Sequence, residues 1–113
     1  MESVASLSDN ELKTQIASIL GWYEIHVDFR GNLIGRLPNV RSLVPLVIPD
    51  WTGSQNYAEA LEEAICHKGL RDQYMLNLAT LGGDRSNEGI LRFLVDASPR
   101  QRCEAALMTL SEV

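Results

Sequence analysis

The chain has 113 residues and a formal net charge of −5, with 45% hydrophobic and 22% charged residues. This length predicts one domain over residues 1–113, and the composition is that of an average globular protein, which argues against disorder. The acidic balance disfavours binding to nucleic acid or to an anionic membrane. The sequence has no apolar run near the ~20 residues that span a bilayer and no pattern of a signal peptide, which predicts a cytoplasmic protein.

The first predicted element is a helix that begins after Ser8. Ser8 and Glu11 have the spacing of a capping box, in which each side chain accepts a hydrogen bond from a backbone N–H at the helix start. Gly21 supplies the left-handed residue with which many helices end. Apolar residues at helical intervals predict one buried face: Leu12, Ile16, Ile19 and Leu20.

A predicted β-hairpin follows this helix. Apolar residues alternate with polar ones, as in a strand with one buried face: Tyr23, Ile25, Val27 and Phe29. Gly31 and Asn32 indicate a turn, and residues 33–37 are expected to return as the second strand. Prolines at positions 38, 45 and 49 favour an edge strand or an extended loop over residues 38–49.

The second half of the chain predicts helix, strand, strand and helix. A helix is expected from about Ser54 to Gly69, with an inward face formed by Tyr57, Ala58, Leu61, Ala64 and Ile65. Residues 70–78 and 91–97 alternate as strands, and the polar residues 82–89 between them are expected to form a turn. Ser98, Pro99 and Gln101 mark the start of a closing helix whose predicted buried residues are Cys103, Ala106, Leu107 and Leu110.

These elements predict an α+β fold with a mainly antiparallel sheet and helices packed on it, in the order α-β-β-α-β-β-α. Cys66 and Cys103 have no C-x-x-C spacing, and buried reduced thiols are the expected state of both.

Three blocks of sequence resemble the phage ABA sandwich proteins, a family of small bacteriophage and prophage proteins whose role is generally unknown. Residues 12–22, LKTQIASILGW, are similar to the opening helix of that family and its Gly-Trp end. Residues 48–65, IPDWTGSQNYAEALEEAI, resemble its central loop and alanine-rich acidic helix, and residues 98–110, SPRQRCEAALMTL, resemble its closing helix. The resemblance implies a phage or prophage protein with a sheet covered by helices, and it implies no activity.

The sequence contains no motif of nucleophilic, phosphate-binding or metal-dependent catalysis, so a non-catalytic protein without a cofactor is expected. Glu24, His26 and Asp28 alternate on a predicted strand and so share one face. Carboxylates and imidazole bind metal ions, but zinc usually needs further ligands from elsewhere, and a solvated face is the preferred interpretation.

Two segments are candidates for binding. Arg30, Arg36 and Arg41 lie in a stretch without any acidic residue, and guanidinium groups match phosphate or carboxylate oxygens. An ordinary exposed loop would look the same. Asp50, Trp51 and Thr52 precede a helix N-terminus, where backbone donors favour anions and a tryptophan commonly anchors a partner. Packing of Trp51 over the sheet edge is the alternative.

The sequence therefore predicts a phage accessory protein that binds a host macromolecule, for example a component of a defence system. The alternative is a protein that sequesters a small phosphorylated ligand such as a signalling nucleotide. A membrane or nucleic acid is not expected as a partner, and self-association stays open.

Overall fold

The computed structural model describes residues 4–38, 44–82 and 97–112. These residues form an α+β fold that opens with a short 3-10 helix, Val4–Ser6. Four longer helices follow within the described ranges: α1 (Asp9–Ile19), α2 (Gln55–His67), α3 (Arg71–Gly82) and α4 (Pro99–Ser111). The antiparallel sheet has the order β1-β2-β3, with strands β1 (Tyr23–Val27), β2 (Leu33–Arg36) and β3 (Leu46–Val47).

Helix α4 lies at the centre of the fold. Helices α1, α2 and α3 all pack against it. Its predicted stripe is confirmed, but burial extends nearly around the helix and also covers Arg102, Glu104, Ala105 and Thr109. Ala105 and Ala106 are small, so neighbouring helices can approach α4 from more than one side. The expected packing of helices on the sheet is present, since Leu33 of β2 belongs to the same core, but the helices also pack around α4, which was not predicted.

The predicted starts of α1 and α4 are confirmed in detail. Ser8 Oγ accepts from the Glu11 N–H at 3.1 Å, and Glu11 Oε1 accepts from the Ser8 N–H at 3.1 Å. Ser98 and Gln101 form the same pair of bonds at the start of α4. Leu12 and Ile16 are buried as predicted, whereas Ile19 is 45% exposed.

The hairpin is confirmed, but its apolar residues are less buried than predicted. Glu24 has a φ of +54° at an irregularity between Tyr23 and His26, and this bulge shifts the alternation of faces along β1. Tyr23 and Val27 are exposed on β1, and Phe29, which lies beyond β1 in the turn, is exposed as well. Residues 38–49 behave as predicted where they are described: β3 is a two-residue strand beside β2.

Residues 71–78 of the segment 70–78, which was predicted as a strand, belong to helix α3 instead. Leu70, Tyr74 and Leu78 recur every fourth residue, and the last two are fully buried against the helical core. This period is that of a helix, and the apparent alternation included the exposed Asp72. The order α-β-β-α-β-β-α is therefore wrong at its fifth element.

The predicted strand at residues 91–97 lies outside the described residues, except for Ala97, and so does most of the turn at residues 82–89. Helix α2 begins and ends as predicted, with Gly69 at a φ of +78°. Ala58, Leu61 and Ile65 are buried, but Tyr57 is half exposed.

Both cysteines are free thiols, as expected. Cys103 is buried, but Cys66 is exposed, which corrects its predicted place in the core. Cys66 follows the buried Ile65 on α2, and neighbouring helical residues point about 100° apart.

Candidate functional site

The predicted arginine group is not one cluster. Arg36 ends β2 opposite Tyr23, at the open end of the hairpin, whereas Arg30 lies in the turn beyond the pair Val27–Leu33. At ~3.4 Å per strand residue, their backbones are at least about 10 Å apart. Arg41 lies outside the described residues.

Arg36 is held by a cross-strand ion pair. Its Nε donates to Glu24 Oε2 at 2.7 Å, and the two side chains are 29% and 65% exposed. The pair sits beside the bulge at which Glu24 adopts a left-handed backbone. Since the guanidinium is already bound to a carboxylate, any anion would compete with Glu24.

Arg30 stands at the tip of the hairpin beside Phe29. Its guanidinium carbon lies 5.4 Å from the centroid of the Phe29 ring, within the range of a cation–π contact. Phe29 is 93% exposed, the highest value among the exposed large apolar residues of the described chain. The tip thus presents an aromatic ring and a positive charge together.

The second predicted segment, Asp50, Trp51 and Thr52, is mostly buried. Trp51 is 6% and Thr52 8% exposed, and Trp51 belongs to the hydrophobic core. Asp50 is exposed, accepts a hydrogen bond from Thr52 Oγ1 at 3.3 Å and lies 3.5 Å from Lys13 Nζ. Trp51 therefore packs in the core, and binding at this segment stays a prediction.

Glu24, His26 and Asp28 each have a local partner. His26 Nδ1 donates to the Glu24 carbonyl at 2.9 Å. Asp28 Oδ1 accepts from the backbone N–H groups of Arg30 and Asn32 at 2.9 and 2.8 Å. Within residues 4–38, 44–82 and 97–112, no group of three or more His, Cys, Asp or Glu side chains lies close enough to hold a metal ion.

A solvated face was predicted for β1, but sequence reasoning missed that exposed apolar residues share it with His26. Residues directly opposite on antiparallel strands share a face, so the pairs Tyr23–Arg36, His26–Ile34 and Ile34–Val47 define one surface. We call these five residues the outer sheet face. Tyr23 is 48% and Val47 62% exposed, while Leu33 and Gly35 point to the opposite side and are buried. The alternating sequence predicted a strand with one buried and one solvated face, but it gives no sign of the bulge at Glu24.

A cleft of about 690 Å³ lies between the N-terminal segment, α1 and α4. Leu7, Leu107 and Met108 contribute apolar walls, and Glu112 is the charged residue that lines it. A carboxylate disfavours a phosphate in this cleft.

A buried polar cluster links α2, α3 and α4. Arg102 Nη1 donates to Glu62 Oε1 at 2.6 Å, and Arg102 Nε donates to the Ala97 carbonyl at 3.2 Å. Tyr74 is fully buried, and its hydroxyl has no hydrogen-bond partner among the described residues. Burial raises the pKa of Tyr74 above its ordinary value, and the nearby Glu62 carboxylate raises it further. The cluster thus joins side chains of α2, α3 and α4 inside the fold.

Comparisons of the chain with protein-family models, with curated proteins and with solved structures found no match. Among the described helices, none combines the length and the apolar character needed to cross a bilayer.

Proposed function

We propose that this chain is a phage or prophage accessory protein that acts without catalysis, by binding a macromolecule of the host cell. A component of a host defence system is one such partner. The resemblance of residues 12–22, 48–65 and 98–110 to the phage ABA sandwich proteins supports the origin. The surface of the hairpin supports binding.

The observation that carries the proposal is the exposed apolar area on and around the sheet. Tyr23 and Val47 lie on the outer sheet face with 48% and 62% exposure. Val27 and Leu46 are 50% and 36% exposed, but they pair with Leu33 and Gly35 and so lie on the other side of the sheet. Exposed apolar residues such as Tyr23 and Val47 on one face, next to the polar Arg36 and His26, are typical of a surface that binds another protein.

Sequestration of a small phosphorylated ligand has less support. The two described arginines of the predicted site lie at opposite ends of the hairpin, and Arg36 is bound to Glu24. A pocket for a small ligand usually encloses most of its surface and brings a few polar groups together. A flat sheet face fits a macromolecule better.

The test is capture from a lysate of the bacterial host with the wild-type protein and with a Tyr23→Ser/Val47→Ser double variant. We expect the wild type to retain a partner and the double variant to lose at least about tenfold in affinity, since tyrosine is among the residue types that contribute most to binding. Leu76→Ser is the matched control, because Leu76 is 62% exposed on α3, away from the sheet.

Equal capture by the wild type and the double variant would remove the outer sheet face from the proposal. A thermal shift of the protein by nucleotides, together with no captured macromolecule, would favour the phosphorylated ligand instead.

A further inference from the structure

We propose that the hairpin tip, residues 28–32, is a preformed anchor that inserts Phe29 into an apolar pocket of a partner protein, while Arg30 pairs with carboxylates at the rim of that pocket. This inference rests on the proposed function and adds to it the chemistry of the partner.

Within the described part of the chain, Phe29 has no packing role that would explain an aromatic ring at this position. Its side chain is 93% exposed, so the fold gains almost nothing from its apolar surface. Aromatic residues and arginine are the types that contribute most to binding at protein interfaces. Val27, two residues before Phe29, is half exposed as well, so the apolar surface continues from the strand to the tip.

The backbone of the tip is fixed before any partner binds. The Asp28 N–H donates to the Asn32 carbonyl at 2.8 Å, and the Gly31 N–H donates to the Asp28 carbonyl at 3.0 Å. Asp28 Oδ1 accepts from two further N–H groups of the tip, those of Arg30 and Asn32. Gly31 takes a φ of +86°, which glycine adopts without strain. A fixed loop loses little conformational entropy on binding, which favours affinity.

Arg30 determines the charge that the partner must offer. The guanidinium stays beside the Phe29 ring at 5.4 Å, and within the described chain it forms no ion pair. A guanidinium binds carboxylates through two parallel hydrogen bonds. Phosphates accept the same bonds, but the net charge of −5 repels the extended phosphate arrays of nucleic acid and anionic membranes. A protein pocket with a local acidic rim avoids this repulsion.

Photo-crosslinking tests the anchor. The probe is the soluble protein fraction of a host lysate, treated with nuclease and cleared of membranes. Benzoyl-phenylalanine replaces Phe29 in one sample and, as the control, Leu76 in another. We expect one dominant crosslinked protein from position 29 and none from position 76. Mass spectrometry is expected to place the crosslink next to Asp or Glu residues.

Affinity for the crosslinked protein then separates the two side chains. We expect Phe29→Ala to weaken binding at least about tenfold, as for a central aromatic contact. Arg30→Gln is expected to weaken binding several-fold and to reduce its salt dependence, because the charge pair at the rim is lost. Leu76→Ala should bind as the wild type does. Circular dichroism on each variant checks that the fold is intact.

The outcomes distinguish the anchor from the proposed function. A partner that is lost by Tyr23→Ser/Val47→Ser but bound equally by Phe29→Ala would leave the proposed function standing and overturn the anchor. Crosslinking to basic segments, or capture that requires nucleic acid or vesicles, would also overturn it. If no macromolecule is captured at all, both proposals fail together.

Discussion

At the scale of single residues, the buried cluster of Tyr74, Glu62 and Arg102 shows how polar side chains are accommodated in the core. The ion pair satisfies the two charged groups, and Arg102 also bonds the Ala97 carbonyl. The Tyr74 hydroxyl is enclosed beside them without a hydrogen bond in the described chain. Burial of such a hydroxyl is unfavourable, so the ring and not the hydroxyl accounts for the contribution of Tyr74 to stability.

We therefore predict that Tyr74→Phe leaves the free energy of unfolding within about 0.5 kcal/mol of the wild type or raises it, because no hydrogen bond is lost. Urea unfolding followed by circular dichroism measures this. Tyr57→Phe on the half-exposed face of α2 is the control. A loss of more than about 1 kcal/mol for Tyr74→Phe would mean that the hydroxyl is bonded to Glu62 in solution.

The predicted binding residues show which properties can be predicted from single positions of the sequence and which cannot. Arginine content and a tryptophan before a helix are visible in the sequence, but burial is not. Trp51 is enclosed in a core that also contains Leu12, Leu61 and Leu107, residues far apart along the chain. Phe29 was expected on a buried strand face and lies in the turn, almost fully exposed.

At the scale of elements, the helix starts were predictable because their signal is local. A capping box needs four residues, and both predicted boxes, at Ser8 and at Ser98, form. Helix α3 was not predicted because a buried polar residue interrupts its apolar face. Asn77 is 6% exposed, and its Nδ2 donates to Thr109 Oγ1 of α4 at 3.0 Å. Only the folded arrangement shows that Asn77 belongs to the inner face.

The central place of α4 leads to a prediction for Leu107, which is 2% exposed. We expect Leu107→Ala to lower the free energy of unfolding by roughly 2–5 kcal/mol, since a large buried side chain leaves a cavity. Leu76→Ala, at a 62% exposed position of α3, is the matched control and should stay within about ±0.5 kcal/mol. Equal losses for the two variants in urea unfolding would contradict the central position of α4.

At the scale of the whole molecule, the structure has two parts: the helices packed around α4, and the hairpin with its exposed residues. The helices enclose α4 and bury its polar residues, whereas the hairpin exposes Tyr23, Val27 and Phe29 together with the described arginines of the predicted site. The α+β class followed from the two periods in the sequence. The central position of α4 could not be predicted from the sequence, because alanines such as Ala105 and Ala106 occur on surface helices as well as on buried ones.

The enclosure of Cys103 leads to the last prediction, a loss of stability at alkaline pH. Cys103 is fully buried, and burial raises the pKa of its thiol from 9.0 to about 12. In the unfolded chain the thiol ionises near pH 9, while the folded protein keeps it neutral. The unfolded state therefore binds fewer protons above pH 9, and stability falls as the pH rises toward about 12. Below pH 9 this contribution is fully present.

Between pH 9 and pH 10 we expect the free energy of unfolding to fall by about 1 kcal/mol, which urea unfolding at each pH measures. Cys103→Ala should abolish most of this fall, even though it lowers stability below pH 9. Cys66→Ala is the matched control, because Cys66 is exposed, and it should leave the fall unchanged. Above pH 10 the buried Tyr74, whose pKa is also raised, adds a further loss that remains in Cys103→Ala. A wild-type stability that stays constant from pH 8.5 to pH 10 would show that the Cys103 thiol reaches solvent, and that α4 is not enclosed at this position.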